Sequence, residues 1–305
     1  DDNATDIGII VGTSEGALGT CCDFQSMITE KGNASGSAFK FPNTVYNAAG
    51  GYLSICSGIK GYNVTVTNGA QSGLASMAYA MSVLRSGQEN AMLATGSDEN
   101  SDIMTELFGK LGVTSESVVT PFEGNDGFVL SDGSASVLIE DEKAARERGA
   151  RIYCHAAGYG MAHSNVKFGT LTGSEAGLTN AVNNALADAG MTIDDIDAVF
   201  GFANGMKAVD DVEIKGLTAV FGDKLAEKPV VELKGVLGES RAAAATTAAA
   251  HAALMFAGKI PSQEAYSIAA DGSVSKTNVE ASKLNNVLVV AYGAGGSYTA
   301  IVLSK

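Results

Sequence analysis

The order of elements read along the first half of the chain recurs along the second, and this repetition limits the fold more than any other feature. Residues 7–14, IGIIVGTS, form a continuous apolar run of strand length, the pattern of a strand covered on both faces. A helix of small residues predicted within 43–61 and ended by glycine leads to the strand NVTVT at 63–67. Leu74, Met77, Ala78, Met81 and Leu84 then recur at helical spacing until Gly87 stops the run. AMLATGS at 91–97 is a second buried strand, and 127–141 reads as strand, Asp-Gly turn, strand, the signature of a hairpin. In the second half, strands are predicted at 151–161, 197–205 and 229–235, helices at 177–190, 210–222 and 241–259, and a closing hairpin at 286–305. The expected architecture is an α/β chain of two halves, residues 1–148 and 149–305, stacked as five layers α/β/α/β/α and bridged by the charged stretch EDEKAARERGAR. The Ala-rich helix at 241–259 carries little charge, which marks it as a buried layer whose small side chains permit close packing.

Composition removes several function classes. With 305 residues, 46% of them hydrophobic, the chain can bury a large core. Its formal charge of −14, without a basic run to offset it, excludes nucleic acid as the expected partner. No segment approaches the roughly 20 consecutive apolar residues of a membrane helix, and the chain opens on DDNATD, so no membrane is expected and the location read from sequence is cytoplasmic. Cys21, Cys22, Cys56 and Cys154 lack metal-site or disulfide-framework spacing, and three histidines are too few for a His-rich site, so no metal is expected.

The stretch TVTNGAQSGLASM at 65–77 runs from strand through a small-residue turn into a helix, the shape on which many folds raise a nucleophile. This turn holds Asn68, Gly69, Ala70 and Gln71, and none is a nucleophile. Elsewhere, Cys56 and Cys154 sit in apolar patterns and are read as buried, inert thiols. Cys21 and Cys22 fall near an exposed segment, and His155 and His251 are read as hydrogen-bonded structural residues. Gly293, Gly295 and Gly296 mark a tight turn, and GSDENSD at 96–102 a solvated loop that caps the next helix.

Three motifs together carry a family resemblance. TPFEGNDGFVLSDGSASVLIEDEKAARERGARIY at 120–153 resembles the P-F-D-x-x-R-D-G-F-V-x-G-E-G-A-x-x-L-x-L-E segment of β-ketoacyl-[acyl carrier protein] synthases and the A-x-x-R-G-A-x-I-Y that follows it. FPNTVYNAAGGYLSI resembles their F-P-x-x-x-x-N-A-x-A-G-x-x-S-I, and AYGAGGSYTAIV their S-F-G-F-G-G-T-N-A. The resemblance covers essentially the whole chain in order and implies the duplicated thiolase-like fold. At its start the family has a further strand, helix and loops, so the first sheet is expected to lack one position and carry a free edge.

In that family a cysteine in T-A-C-S-S-G-L carries the acyl chain, and two histidines stabilise the enolate formed by decarboxylation. Aligned on SGL, Ala70 stands at the cysteine position and Gln71 one place later. Anchored on Asp210 and Glu213, the first histidine falls at Phe202, or with gaps at Ala203 or Asn204. Lys234 of K-S-x-x-G-H is retained, but Glu239 replaces the second histidine, and Ala294 replaces the gating phenylalanine. The resemblance therefore implies the non-condensing subunit of a heterodimeric ketosynthase, the chain length factor of type II polyketide or polyene systems. Its implied partners are a catalytic ketosynthase and an acyl carrier protein, whose phosphopantetheine arm holds the growing chain, so no cofactor of its own is expected. Val64, Thr65, Val66 and Thr67 are the implied interface strand, and Asn43 and Tyr46, on a helix expected at 43–54, the implied tunnel residues. Three alternatives stay open: malonyl decarboxylation through Gln71, an active thiolase-superfamily acyltransferase using Cys56 or Cys154, and a structural protein without an enzyme partner.

Overall fold

A computed structural model describes residues 5–125, 127–167 and 173–305. Residues 1–4 of the opening stretch, and Asp126 of the long motif at 120–153, therefore lie outside the described residues. The first half runs β1 (Ile7–Gly12), α1 (Leu18–Lys31), α2 (Ala48–Ser57), β2 (Asn63–Val66), α3 (Ser72–Arg85), β3 (Ala91–Asp98), α4 (Asp102–Leu111), β4 (Gly133–Glu140) and α5 (Glu142–Glu147). The second runs β5 (His155–His163), α6 (Glu175–Ala189), β6 (Ala198–Phe200), α7 (Lys207–Phe221), β7 (Val230–Val231), α8 (Lys234–Leu237) and α9 (Ala242–Phe256), then β8 (Ser262–Ile268), β9 (Val274–Glu280), β10 (Asn286–Tyr292) and β11 (Ser297–Ser304).

Two mixed sheets result, ordered β2-β1-β3-β4 and β5-β11-β10-β6-β7-β8-β9. The duplication is visible in the pairing: β1 lies parallel to β2 and β3 while β4 returns antiparallel to β3, and β6, β7, β10 and β11 repeat that arrangement. The register of the repeat is offset from the one read in sequence, because β1 matches β6 and β5 has no counterpart among the described residues of the first half. Where β5 pairs antiparallel with β11, the corresponding side of β4 has no strand among the described residues. The burial of the two strands follows: β11 is buried along its whole interior, whereas β4 alternates between half-buried and exposed. A cavity of about 800 Å³ lies along that edge, lined by Met77 and Met81 of α3, Val137 and Ile139 of β4, Cys154, and Ala249 and Ala253 of α9.

The helices α3 and α9 pack between the sheets, α2 covers the outer face of the first, and α6 with α7 covers the second, giving five layers. Close approach of these layers depends on missing side chains. A Cβ on Gly73 would lie 1.9 Å from the Ala242 carbonyl oxygen, and one on Gly96 2.4 Å from the same atom, so glycines of α3 and β3 let α9 settle directly onto backbone.

Three local expectations are corrected. Residues 127–131 are not a hairpin strand with β4: Phe128 exchanges backbone hydrogen bonds with Val113 and Ser115, and the Val129 carbonyl accepts from Glu239, so the segment's polar groups are used elsewhere. The helix expected at 43–54 begins only at Ala48, because Pro42 sits in a 3-10 turn, Phe41–Asn43, that redirects the chain. Cys56 lies exposed on α2 rather than buried; the apolar residues of this helix face outward as well as inward. Sequence patterning also passed over α1 and the β8–β9 hairpin.

Candidate functional site

The elbow is built by the sequence between β2 and α3. Gly69 takes φ +67°, which an L side chain adopts only with strain, and the Ser72 hydroxyl closes the turn by donating to the Gly69 carbonyl at 2.6 Å while accepting from the Asn68 amide at 2.7 Å. Ala70 occupies the apex, half-buried. Gln71 is wholly buried, and its Oε1 accepts from Thr299 Oγ1 at 2.5 Å, so its carboxamide is tethered into the second half. The turn between β10 and β11 roofs the elbow: a Cβ on Gly293 would stand 3.3 Å from the Asn68 carbonyl and 3.7 Å from the Ala70 amide nitrogen. Ala294, next along that turn, is exposed.

Beside it lies the loop that follows β6, residues 201–205. Phe202 is buried, its ring 5.5 Å edge-on from Tyr292 and beneath the Lys234 ammonium, whose Nζ stands 3.1 Å from the ring centroid. The side chain that reaches the neighbouring turn is that of Asn204, whose Nδ2 donates to Glu239 Oε2 at 2.9 Å. Lys234 Nζ donates to the same oxygen at 2.8 Å and to the Phe202 carbonyl at 3.0 Å, and the Arg241 amide donates to Glu239 Oε1 at 2.9 Å. Glu239 is thus fully engaged: the negative charge inferred from its sequence position is paired with a buried lysine. Asp210 on α7 holds the loop from behind, accepting from the amides of Asn204, Gly205 and Phe122. Burial pushes its carboxyl up to about 6, with these amides pulling the other way.

Two links bring these parts to one end of the stacked sheets. Gly73, three residues past Ala70, touches Ala242, three residues past Glu239. The Tyr292 hydroxyl donates to the Val209 carbonyl from the strand that enters the roof. Ala70, Phe202, Lys234, Glu239 and Gln71 therefore belong to one region, whereas Asn43 and Tyr46 lie on the outer surface beyond β1. There Asn43 Oδ1 accepts from the Tyr52 hydroxyl at 2.7 Å and the Tyr46 ring packs on Gly16. Val64, Thr65, Val66 and Thr67 run along the outer edge of the first sheet.

No cysteine or histidine enters the hydrogen bonds of the elbow, the loop at 201–205 or the Lys234–Glu239 turn among the described residues. Cys154 lines the cavity on the far side of β4, where burial pushes its thiol up to about 11, away from the thiolate. His251 packs on Phe200, and burial holds its imidazole below the ordinary range. The described residues contain no group of three or more His, Cys, Asp and Glu placed to hold a metal ion, and no helix long and apolar enough to cross a membrane. Sequence reading passed over Glu232, Tyr292 and Thr299. For Glu232 a signal existed, a carboxylate inside the apolar strand run PVVELKG.

Residues 1–145 match the family described as beta-ketoacyl synthase, N-terminal domain, and residues 153–266 its C-terminal domain. Among curated proteins, the 3-oxoacyl-[acyl-carrier-protein] synthase 2 of Vibrio harveyi is 28% identical over 239 residues, covering 76% of this chain and 58% of that protein. The enzyme of the same name from Rhizobium meliloti is 24% identical over all of this chain and 75% of its own length. The chain thus spans less than two thirds of the Vibrio relative. Among solved structures, the ishigamide ketosynthase/chain length factor superposes with a TM-score of 0.88 at 22% identity, over 99% of this chain and 75% of that one. A type II polyketide synthase acyl-carrier protein in complex with its ketosynthase bound to the hexaketide gives 0.84 at 19%, over 99% and 78%. With both halves matched in order and the two-sheet, thiolase-like fold shared throughout, the chain belongs to the β-ketoacyl synthase family.

Proposed function

We propose that this chain is a non-condensing ketosynthase-like subunit, a chain length factor, that pairs with a catalytic ketosynthase and shapes the space for an acyl chain carried by an acyl carrier protein. The observation that carries this reading is the chemistry of the elbow. Its apex is Ala70, and the side chains of the neighbouring loop and turn, Asn204, Lys234 and Glu239, satisfy one another and supply neither a nucleophile nor a free base. A methyl group cannot form a thioester, and a carboxylate held by two side-chain donors is not placed to stabilise a developing enolate. The similarity to a solved ketosynthase/chain length factor supports the same reading at the level of fold.

The surface supports a partner. β2 forms the outer edge of its sheet, and beside it Tyr46, Tyr52, Ile55 and Tyr62 are exposed, an apolar patch of the kind that marks an interface. Tyr46 and Asn43 on this face are proposed to border the partner's acyl tunnel, with Tyr46 limiting chain length by volume, so Tyr46→Ala in an intact complex lengthens the product. Decarboxylation through Gln71 finds less support, because its carboxamide oxygen is committed to Thr299 in a wholly buried position.

The test is co-expression with a cysteine-bearing ketosynthase homologue, followed by intact mass of the purified complex after incubation with malonyl-carrier protein. The expected result is a one-to-one heterodimer with acyl mass on the partner only. Acyl mass on this chain would overturn the proposal, and so would turnover by this chain alone. A second arm uses Ala70→Cys: the new thiol should take up an alkylating reagent without conferring condensation, since the neighbouring polar groups stay mutually engaged.

A further inference from the structure

We propose that Glu213 and Glu232 share one proton above the Cα of Gly201, and that this carboxyl pair locks the loop at 201–205 which presents Asn204 to Glu239. The inference holds whether or not the chain is a non-condensing subunit. A Cβ built on Gly201 would lie 1.8 Å from Glu232 Oε1 and 2.2 Å from Glu213 Oε1, so the two oxygens converge on one point over bare backbone. Both residues are buried, and these same two oxygens find no hydrogen-bond donor among the described residues. Glu213 Oε2 is already in use, accepting from the Phe202 amide at 2.7 Å and lying 3.3 Å from the Tyr292 hydroxyl.

Two ionised carboxylates in this position would face each other without a donor in a region shielded from water, an arrangement whose cost exceeds that of keeping one of them neutral. A proton on Glu232 removes the repulsion and supplies the missing donor, its O–H donating to Glu213 Oε1. The other charged and titratable groups around the pair do not offer an alternative. α7 contributes Asp210, a third acid, and β10 and β8 contribute the neutral phenols Tyr292 and Tyr266. Lys234 is a cation acting on Glu232, but its ammonium is bound to Glu239 and the Phe202 carbonyl. Burial, together with the adjacent Glu213, accordingly holds the Glu232 carboxyl well above the usual carboxylate range.

Because Glu213 holds the Phe202 amide, the pair acts on the loop directly: loss of the proton sets two charges against each other over Gly201 and loosens the backbone that positions Asn204. The sign of the linkage is fixed. A folded-state value above the unfolded one gives stability that is complete at low pH and is lost as pH rises through the folded value.

Two measurements test this. In infrared spectra recorded as pH is raised, the wild-type protein should keep the C=O stretch of a protonated carboxylic acid after the ordinary carboxyls have ionised, and Glu232→Gln should lose that band together with them. In denaturant unfolding as pH is raised above the ordinary carboxylate range, the unfolding constant of wild type relative to Glu232→Gln should rise about tenfold per pH unit until Glu232 ionises in the folded protein. The amide of Glu232→Gln keeps a donor toward Glu213, so the variant retains the fold and loses the slope; Glu213→Gln leaves Glu232 buried but removes the second cause, so the slope should end at a lower pH than in wild type. Absence of the acid band in wild type, which requires no variant, would overturn the proposal. Parallel pH profiles for wild type and both variants would do the same.

Discussion

Lys234 Nζ lies 2.8 Å from Glu239 Oε2 and rests on the face of the Phe202 ring, so one buried cation joins the loop after β6 to the turn before α9. The side chains of Lys234 and Glu239 are 5% and 6% exposed, so neither charge can turn to water if the other is removed. Lys234→Met should therefore destabilise the protein by about 3–5 kcal/mol, chiefly by stranding a carboxylate. Adding Glu239→Gln should recover more than half of that loss, because the amide oxygen still accepts from Arg241 and no charge remains. Urea unfolding of the two single variants and the double variant gives the coupling directly, and an additive cycle would contradict the pairing.

A second prediction concerns Glu15, whose Oε2 stands 2.8 Å from Arg241 Nε beside the Asp98 carboxylate. Burial, with Asp98 adding to it and Arg241 opposing, pushes the Glu15 carboxyl up to about 7. The value is raised relative to the unfolded chain, so the protonated form stabilises the fold below about pH 4.5 and that contribution is lost as pH rises through about 7. Glu15→Gln keeps a polar group of the same shape beside Arg241 and removes the titration. Its thermal midpoint should vary less than that of wild type between about pH 5 and 8, and at pH 8 it should be the more stable protein by roughly 1–3 kcal/mol.

Packing between layers gives a third. Gly73→Ala places a methyl 1.9 Å from the Ala242 carbonyl oxygen, a contact that only movement of α3 or α9 can relieve. A loss of about 1–3 kcal/mol is expected from overpacking, with the far-ultraviolet circular dichroism unchanged. Gly51→Ala, on the outer helix α2 with no atom within 4 Å of the new methyl, should instead be neutral or slightly stabilising.

Much of the scaffold was legible because burial on both faces writes itself into composition. The runs at 7–12, 91–94 and 287–291 are apolar throughout, and each lies within a strand. The segment at 127–131 has the same local character, but its hydrogen-bond partners, Val113, Ser115 and Glu239, are distant in sequence, and no window of neighbours can name them. Register was lost for a related reason: β1 and β5 both read as strands near the start of their halves, and only the pairing of β5 with β11 shows that β5 does not take the place of β1. In the site, Ala70 and Glu239 could be placed by flanking residues that matched a known pattern. Asn204 needed geometry, since the loop at 201–205 admits several alignments and only one of its side chains reaches Glu239.

The interface makes the last prediction. The Ile9 amide donates to the Tyr62 carbonyl and the Thr13 amide to that of Val66, so the even-numbered residues of this strand turn their backbone groups toward β1. Asn63, Thr65 and Thr67 consequently direct theirs outward, along a free sheet edge. If a partner's strand pairs there, Thr65 contributes an N–H to the shared ladder. Thr65→Pro deletes that donor while leaving every bond to β1 in place, and proline is tolerated on an edge strand for this reason. The variant should keep the thermal midpoint of the isolated chain to within a few degrees, yet fail to co-purify with the proposed partner, a cysteine-bearing ketosynthase homologue, in size-exclusion chromatography. Thr65→Val, which changes the side chain and retains the amide, should bind as wild type does. A Thr65→Pro chain that still assembles fully would remove residues 64–67 from the interface and shift attention to the exposed stripe of Ile103, Leu107 and Leu111 on α4.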